Sequence, residues 1–211
     1  MRKKPIVSGE LCPGDILETV RCFGSDDDLE NMSFSGGTLE GVCGRELGFS
    51  ACRFHGVHFS GMSVMQLSFL DCVFDHCDLS GLKMEHALLR RTEFRACRLS
   101  GVQLDRASMQ DLLFSECAMD YLTLAECKMQ DCEFHFCEMP NLLLYDCAVK
   151  NPVFSSCNME HAEIRGVKLA GTDLSTCRLD GLHTDPDNLR GTRISPQQAL
   201  IVCQLLDIRV L

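Results

Sequence analysis

The fold is decided by residues 74–114, which read FDHCDLSGLKMEHALLRRTEFRACRLSGVQLDRASMQDLLF. An apolar residue recurs there every five positions, and Phe recurs every twenty. Extended outward, every position ending in 4 or 9 from Phe34 to Leu179 is Phe, Leu, Met, Val or Ile, except Gly44. We call these positions the centres of the pentads. The residues two positions before each centre, from Met32 to Cys177, are all small, apolar, Thr or Pro. Two uncharged columns therefore run through most of a chain in which 24% of the residues are charged.

A period of five fits neither of the regular secondary structures. Five residues of α-helix advance about 500°, so the apolar positions would smear around the helix. Successive residues of a flat strand alternate between its faces, so an odd period would send neighbouring pentads to opposite sides. The chain must therefore turn about once per pentad, which keeps both columns inside.

The number of pentads in one coil follows from residue identity. Phe repeats with a step of twenty at the centres, and Cys repeats with the same step two residues before the centres. Four pentads per coil stack like residues on like, as in a solenoid, and residues 29–189 then give about eight coils and a rod roughly 40 Å long. The predicted core ladder consists of Phe34, Phe54, Phe74, Phe94, Phe114, Phe134, Phe154, Cys77, Cys97, Cys117, Cys137, Cys157 and Cys177.

Many of the pentads resemble the A(D/N)LXX pattern of the pentapeptide-repeat family, whose central residue is Leu or Phe. Cys77-Asp78-Leu79-Ser80-Gly81 and Thr172-Asp173-Leu174-Ser175 match this pattern well. The resemblance covers about three quarters of the chain. It implies an all-β solenoid, a right-handed quadrilateral β-helix of about eight coils of four pentapeptides. Frequent Cys in place of the usual Ala is a departure that changes the side-chain volume little.

The repeat divides the chain into three parts. Residues 1–28 are out of register, with Gly14 and Thr19 where core residues should stand, and we expect them to form an N-terminal cap. Residues 29–194 form the pentapeptide-repeat β-helix. Residues 195–211 form a C-terminal α-helix and a short strand, which we interpret as a dimerisation module.

The C-terminal part has its own start signal in the sequence. In Ser195-Pro196-Gln197-Gln198, Ser is a good N-cap, Pro suits the first helical position and Gln can close a capping box. The helix that follows is apolar nearly all round, and such helices are usually buried. The stretch from Leu189 to Val210 also resembles the C-terminal dimerisation module of the Qnr quinolone-resistance proteins, which implies a homodimer joined tail to tail. The predicted dimer interface is Leu200, Ile201, Leu205, Leu206, Ile208 and Val210.

Fifteen cysteines and seven histidines are the residues most able to carry chemistry. Eleven of the cysteines lie in the inward column, where a free thiol packs as a small hydrophobic group. A zinc site built from Cys127, Cys132 and Cys137 is the alternative, but pentad spacing lacks the tight C-x2-C pairing of zinc sites. The histidines all fall at outward positions, and the sequence contains no phosphate-binding loop or nucleophile elbow. We therefore expect a non-enzymatic protein with no catalytic residues, no metal and no cofactor.

The charge of the chain points to a class of partner. The 20 Lys and Arg against 30 Asp and Glu give a net charge of −10, whereas a nucleic-acid binder normally shows a basic face. We therefore expect no direct nucleic-acid binding. When the outward charges are sorted by the four sides of a coil, acid concentrates on two adjacent sides. The predicted acidic partner-binding face carries Glu40, Asp78, Asp120, Glu138, Glu160 and Asp180.

Two functions remain open at this point. The resemblance to Qnr-like proteins implies a DNA mimic that binds a type II topoisomerase, DNA gyrase or topoisomerase IV, and protects it from inhibitors, as in antibiotic resistance. The projecting loops that interrupt the coil in Qnr proteins are missing here. The alternative is a protein-interaction scaffold unrelated to topoisomerase, with a partner patch around outward Val73, Leu113 and Val153.

Location is the last property that the sequence addresses. No apolar stretch reaches the roughly 18 residues needed to span a bilayer. No apolar run follows the basic start Arg2-Lys3-Lys4, so a secretory signal is not expected. The sequence predicts a cytoplasmic protein without membrane contact.

Overall fold

The computed structural model describes residues 2–7, 9–22, 28–59 and 61–210. Over these residues the chain winds into a parallel β-solenoid of about eight coils, as predicted. In chain order the elements are β1 Cys12–Gly14, α1 Ile16–Cys22, β2 Asp28–Glu30, β3 Met32–Ser35, β4 Cys43–Ser50, β5 Arg53–His55, β6 Ser63–Leu70, β7 Val73–Asp75, β8 Lys83–Glu85, β9 Leu88–Arg90, β10 Glu93–Arg95, β11 Gln103–Asp105, β12 Ser108–Gln110, β13 Leu113–Ser115, β14 Thr123–Ala125, β15 Lys128–Gln130, β16 Glu133–His135, β17 Leu143–Tyr145, β18 Ala148–Lys150, β19 Val153–Ser155, β20 Glu163–Arg165, β21 His183–Thr184, a short 3-10 helix Pro186–Leu189, and α2 Ala199–Leu205.

Each coil has four sides, which we number along the chain. Face 1 is an eight-stranded sheet in the order β1-β3-β5-β7-β10-β13-β16-β19. Face 2 is a ladder of single parallel bridges that runs from Thr38 to Arg178. Face 3 is a six-stranded sheet, β8-β11-β14-β17-β20-β21, and face 4 is a seven-stranded sheet, β2-β4-β6-β9-β12-β15-β18.

Strand partners lie twenty residues apart, which is the step that the sequence predicts. Phe94 on face 1 pairs with Phe74 on one side and Phe114 on the other. On face 4, Met109 pairs with Met129 in the same way. One coil of four pentads therefore returns the chain to the same side, one strand spacing further along the axis.

Two inward columns fill the centre of the solenoid. The Phe ladder is buried throughout, with Phe154 the most exposed of its rings at 7%. Its neighbouring rings stack with centroids 4.5 to 5.4 Å apart. The thiols of the Cys ladder are buried as well, with Cys177 the most exposed at 6%. A narrow rod is held together because every coil buries both columns against the coils above and below.

Most corners of the coil are tight, and they use left-handed backbone. His76, Ala96 and Glu116, at successive corners between faces 1 and 2, have φ values of 53°, 49° and 56°. Non-glycine residues seldom adopt this conformation, and here the main chain compensates with a hydrogen bond to the next coil. The N–H of His76, for example, donates to the carbonyl of Arg95 at 3.0 Å. β4 and β6 differ, because each runs straight through the corner between faces 3 and 4.

The segment predicted as an N-terminal cap contributes a strand as well as a helix. β1 pairs with β3 in the register of the coils, so that Gly14 lies opposite Phe34. A Cβ at Gly14 would lie 2.8 Å from the Cε of Met32, 3.1 Å from the hydroxyl of Thr19 and 3.2 Å from the ring of Phe34, so a side chain here would require these neighbours to shift. α1 then closes the end of the core with Ile16 and Val20, both buried.

The other end of the solenoid carries α2, which packs against the core through Ile201. The side chain of Gln198, just before this helix, is buried and donates to the carbonyls of Leu174 and Cys177 at 2.8 and 2.6 Å. These bonds tie the start of α2 to the last complete coil. Among the described residues, no helix has the length and apolar character needed to cross a bilayer.

Candidate functional site

The acidic face is face 2 of the solenoid, and the structure places all six of its predicted carboxylates at the surface. Asp78 and Glu138 belong to the ladder of single bridges, three coils apart. The other four lie at the corner between faces 2 and 3. Face 2 also carries Arg98 and Arg178, so its net charge is −4. Its six carboxylates are those of Glu40, Asp78, Asp120, Glu138, Glu160 and Asp180.

Part of this charge is balanced within the face. Arg178 lies 3.6 Å from a carboxylate oxygen of Glu138 and 3.7 Å from one of Glu160. The side-chain amide of Asn158 donates to Glu138 at 2.8 Å. Arg178 therefore holds two carboxylates together near one end of the face. Within the described residues, no ion pair forms at Glu40 or Asp180.

Asp78 is fixed in its ionised form by its neighbours. Partial burial acts to raise its pKa, but hydrogen bonds from Ser80 and the charges of Arg98 and His58 hold the pKa of Asp78 below its ordinary value. The main-chain N–H of Ser80 donates to its carboxylate at 2.9 Å. The negative charge at this position is therefore both permanent at neutral pH and fixed in place.

Face 3 is also acidic but is more fully paired. Seven carboxylates against four basic residues leave it at −3. Arg106 contacts Asp105 at 2.5 Å and Glu85 at 3.9 Å, and Arg165 contacts Glu163 at 3.0 Å. The side-chain charges of face 3 alternate in sign over short distances, so face 2 presents the more uniform negative field.

Face 1 is partly covered by the N-terminal segment of the chain itself, which the sequence did not predict. The guanidinium of Arg2 contacts Glu93 at 2.9 Å and Glu133 at 3.4 Å. The main-chain N–H of Lys3 donates to Asp111 at 2.8 Å, and that of Ile6 donates to Asp71 at 2.9 Å. Residues 2–6 thus cross four coils along two neighbouring columns of carboxylates, one on face 1 and one at its corner with face 4.

The N-terminal segment interrupts the predicted partner patch on face 1 at Glu93. Glu93, which alternates with Val73 and Leu113 there, is buried, and Val73 and Leu113 are half-buried. Val153 remains exposed, beyond the end of the N-terminal segment. The patch around Val73, Leu113 and Val153 is therefore not one continuous open surface.

The capping box predicted before the C-terminal helix is formed, but the regular helix begins at Ala199, three residues later than the sequence predicts. The main-chain N–H of Ser195 donates to the side-chain oxygen of Gln198 at 2.7 Å, and the N–H of Gln198 donates back to the Ser195 hydroxyl at 3.3 Å. This reciprocal pair is the predicted capping box. The short strand expected after the helix is not formed, since residues 208–210 have no strand pairing and Leu211 lies outside the described residues.

The predicted dimer residues remain at the surface of the single chain. Ile201 packs against the core and Leu205 is half-buried. The other four are about half exposed or more, which is unusual for large aliphatic side chains: Leu200, Leu206, Ile208 and Val210. The end of the rod therefore carries apolar side chains that the described residues leave exposed.

The buried cysteines act as small hydrogen-bonding core residues. Cys117 donates its S–H to the carbonyl of Phe94, in the coil before, at 3.4 Å. The hydroxyl of Thr92 makes the same kind of contact with Phe69 at 3.2 Å. Burial raises the pKa of the Cys132 thiol to about 12, so the thiol stays protonated. Cys127, Cys132 and Cys137, the alternative zinc ligands, each donate to a main-chain carbonyl in this way.

The structure brings together one group of possible metal ligands in the part of the chain that it describes. His55, Asp75 and His76 lie at the corner between faces 1 and 2, with their donor atoms within 4.8 Å of one another. The sequence pattern predicted no metal site, because the histidines fall at outward positions and share no short motif. The step of twenty was the available signal, because it places His55 beside Asp75 and therefore close to His76.

Comparison with known proteins comes from sequence and from structure. The sequence matches the family described as "Pentapeptide repeat region" at residues 47–124, 67–142 and 107–184, which together cover more than half of the chain. No curated protein matches it significantly. Two solved structures of QnrB1, described as a plasmid-mediated fluoroquinolone resistance protein, are similar at 19% and 18% identity, with TM-scores of 0.40 and 0.43. These matches cover 87% and 88% of this chain, and 89% and 92% of the QnrB1 chains. HetL, a pentapeptide-repeat protein from the cyanobacterium Nostoc, matches at 13% identity and a TM-score of 0.30, over 89% of this chain and 94% of its own.

Proposed function

The chain belongs to the pentapeptide-repeat family, and from that premise we propose that it is a non-enzymatic binding protein whose acidic face takes the place of DNA on a basic protein surface. The partner that the resemblance to Qnr-like proteins implies is a type II topoisomerase, DNA gyrase or topoisomerase IV. Occupying its DNA-binding groove would protect the enzyme from inhibitors that act on the enzyme–DNA complex.

The net negative charge of face 2, which its two arginines do not cancel, is the observation that carries this proposal. Glu40 and Asp180 are seven coil spacings apart, which is roughly 34 Å at ~4.8 Å per coil. Duplex DNA presents one negative charge per about 1.7 Å, so the face is less densely charged than DNA but has the same sign along a straight rod. A basic groove attracts such a rod by the same long-range field that attracts DNA.

The rigidity of the solenoid supports the same proposal. Carboxylates on flexible loops would lose conformational entropy when they bind, whereas these are held by the coils and by neighbours such as Ser80 and Asn158. The spacing between the charges is therefore set before the partner arrives.

We further propose that the functional form is a homodimer. Leu200, Leu206, Ile208 and Val210 form an exposed apolar surface at one end of the rod. Exposed apolar surfaces of this kind mark sites of association. In a dimer with twofold symmetry, the two copies of the surface bury each other and neither stays exposed. Two rods joined tail to tail extend to roughly 80 Å, from two ~40 Å halves.

The experiment that tests this function is a supercoiling assay with intact gyrase, with and without a quinolone. The wild type is expected to inhibit supercoiling at excess and to reduce quinolone-stabilised cleavage of DNA. The combined variant Asp120→Asn, Glu138→Gln and Glu160→Gln is expected to be several-fold weaker. A gyrase that is unaffected by micromolar wild type would contradict the proposal.

The control variant for this assay removes the same charge elsewhere. Glu18, Glu30 and Asp187 are exposed carboxylates outside face 2, and Asp187 pairs with Arg190 much as Glu138 pairs with Arg178. Glu18→Gln, Glu30→Gln and Asp187→Asn together lose three negative charges and one ion pair. This variant is expected to act like the wild type, and equal weakening of both variants would mean that net charge alone matters.

A second candidate function, a scaffold for another protein, is favoured by two aromatic residues. Tyr121 and Phe136 are both exposed, on the two edges of face 2, one at the corner with face 3 and the other at the corner with face 1. Exposed aromatic side chains are typical anchors of protein interfaces. If gyrase is unaffected, a partner that loses affinity when Tyr121 and Phe136 are changed to Ser would support this function.

A further inference from the structure

Three side chains at the corner between faces 1 and 2 form a cluster that the proposed function does not use. The Nδ1 atom of His55 lies 3.0 Å from one carboxylate oxygen of Asp75, and the Nδ1 atom of His76 lies 2.9 Å from the other. The two imidazole rings therefore converge on one carboxylate from two successive coils. Their ring centroids are 5.9 Å apart.

The backbone of the solenoid fixes the positions of all three residues. His55 ends β5 and Asp75 ends β7, and the two are direct partners in the parallel sheet of face 1. The residues just before them, Phe54 and Phe74, stack in the core with centroids 4.5 Å apart. His76 follows Asp75 in left-handed backbone, which turns its side chain back toward the same carboxylate.

We propose that His55, Asp75 and His76 form a binding site for a divalent transition-metal ion, with Zn²⁺ as the ion whose ligand preference it fits best. Zn²⁺ is bound in proteins by His nitrogen at about 2.0–2.1 Å and by carboxylate oxygen at similar distances. Donor atoms within 4.8 Å of one another can converge on such an ion with small side-chain rotations. Each imidazole would bind through its Nδ1 lone pair, in the tautomer that carries the proton on Nε2.

The surroundings leave the remaining coordination positions open. All three side chains are at the surface, and a shallow hollow bordered by Arg95, Ser115 and Glu116 adjoins His76. Arg95 is the sheet partner of Asp75 and would otherwise oppose a cation. Its guanidinium is instead held by Glu93, with which it forms an ion pair. Water or a side chain of a bound partner can complete the coordination of the ion.

The ligand set also distinguishes between classes of cation. Two imidazoles and one carboxylate suit Zn²⁺, Ni²⁺ or Cu²⁺, whereas Mg²⁺ and Ca²⁺ prefer all-oxygen sites with more ligands. The sites that could compete for Zn²⁺ are exposed thiols, and Cys12, Cys22 and Cys43 are exposed. The experiment must therefore block these thiols before metal is added.

The test is a calorimetric titration of Zn²⁺ into the full chain after alkylation of its accessible thiols under native conditions. The wild type is expected to bind one Zn²⁺ per chain, and Mg²⁺ in the same titration is expected to give no saturable binding. Asp75→Asn and His76→Gln, measured separately, are each expected to weaken Zn²⁺ binding at least about tenfold, since each removes one of three ligands. All of the altered side chains point outward, so the far-ultraviolet circular dichroism should not change.

The matched control is His135→Gln. His135 stands in the same outward column of face 1, at the end of β16, and contacts a single carboxylate, Glu133, at 3.5 Å. The His135→Gln variant is expected to bind Zn²⁺ as tightly as the wild type does. The proposal is overturned if the wild type binds no Zn²⁺ after alkylation, or if the two ligand variants bind it as tightly as His135→Gln does.

Discussion

The rings of Phe94 and Phe114 stack almost in parallel, with centroids 4.9 Å apart and an interplanar angle of 4°. Both rings are fully inside the solenoid, at 2% exposure. Because they are partners in adjacent strands, the stacking distance of the rings matches the spacing between coils. One residue type repeated every twenty positions thus links each coil to the next.

Removing one ring from this ladder is expected to be costly. Phe94→Ala or Phe114→Ala should lower the free energy of unfolding by about 3–5 kcal/mol, because each leaves a cavity between two rings that cannot close around it. Urea denaturation measures this loss. Phe136→Ala is the control, because Phe136 is exposed, and a loss below about 1 kcal/mol for the ladder variants would contradict the stacked core.

Cys117 is expected to matter less than its neighbouring ring. Its thiol donates to the carbonyls of Phe94 and Ser115, both at 3.4 Å. Cys117→Ala removes a small apolar group and one weak donor, so a loss of about 1 kcal/mol is expected in urea denaturation. All fifteen cysteines are free in the structure, and stability should be the same with and without a reductant. A clear loss of stability on reduction would show that stacked thiols are oxidised.

The N-terminal segment is expected to contribute to stability through Arg2. The side chains of Arg2 and Glu93 are 7% and 4% exposed where they meet, so removing the cation leaves a buried carboxylate with one partner fewer. Arg2→Met should lower the free energy of unfolding by about 1–3 kcal/mol. Lys4→Met removes the same charge from an exposed side chain of the same segment, and should have little effect.

The dependence of this contribution on pH follows from the carboxylates of face 1. Burial acts to raise the pKa values of Glu93 and Asp71, but Arg95 and Arg2 hold the pKa of Glu93 below its ordinary value, and Arg91 and the N–H of Ile6 do the same for Asp71. A lowered pKa in the folded chain stabilises the fold above the unfolded value, about 4, and this stabilisation is lost as pH falls through the folded value. The wild type should therefore lose more stability than Arg2→Met between pH 7 and pH 3. Parallel losses in the two proteins would contradict this assignment.

The apolar end of the rod predicts a change in assembly. Leu206 is 51% exposed in the single chain, so Leu206→Asp should leave the fold intact and convert dimers to monomers. Sedimentation velocity at micromolar concentration measures the change. Met65→Asp is the control, since Met65 is more exposed but lies on β6, far along the chain from α2. A wild type that is already monomeric would mean that α2 only closes the end of the solenoid.

The sequence predicts the regular part of this molecule because its period is strict. Uncharged residues at two positions of each pentad, and Phe at every twentieth position, allow only one register. The twenty-residue strand register extends further toward the N-terminus than the apolar pattern does. β1 pairs with β3 in this register, although Gly14 stands where the pattern calls for an apolar residue. The capping box of Ser195 and Gln198 was predictable because it is local, with both partners within four residues.

What the sequence did not predict depends on contacts between distant segments. Arg2 meets Glu93 across 91 residues, and no periodic signal connects a basic N-terminus to these carboxylates. The sequence also does not predict that β4 and β6 run straight through a corner, because their pentads keep much of the apolar pattern of the neighbouring pentads. The His55–Asp75–His76 cluster is intermediate, since the step of twenty implies the first pair and the tight corner supplies the third residue.

The central claim, that face 2 stands in for DNA, is tested most directly by the salt dependence of binding to intact gyrase. Affinity of the wild type should fall steeply as the salt concentration rises from 50 to 200 mM, because exposed charges are screened over this range. The variant Asp120→Asn, Glu138→Gln and Glu160→Gln should bind more weakly and show a shallower slope, whereas Glu18→Gln, Glu30→Gln and Asp187→Asn should keep the slope of the wild type. Wild-type binding that does not change with salt, or the same slope in all three proteins, would contradict the account.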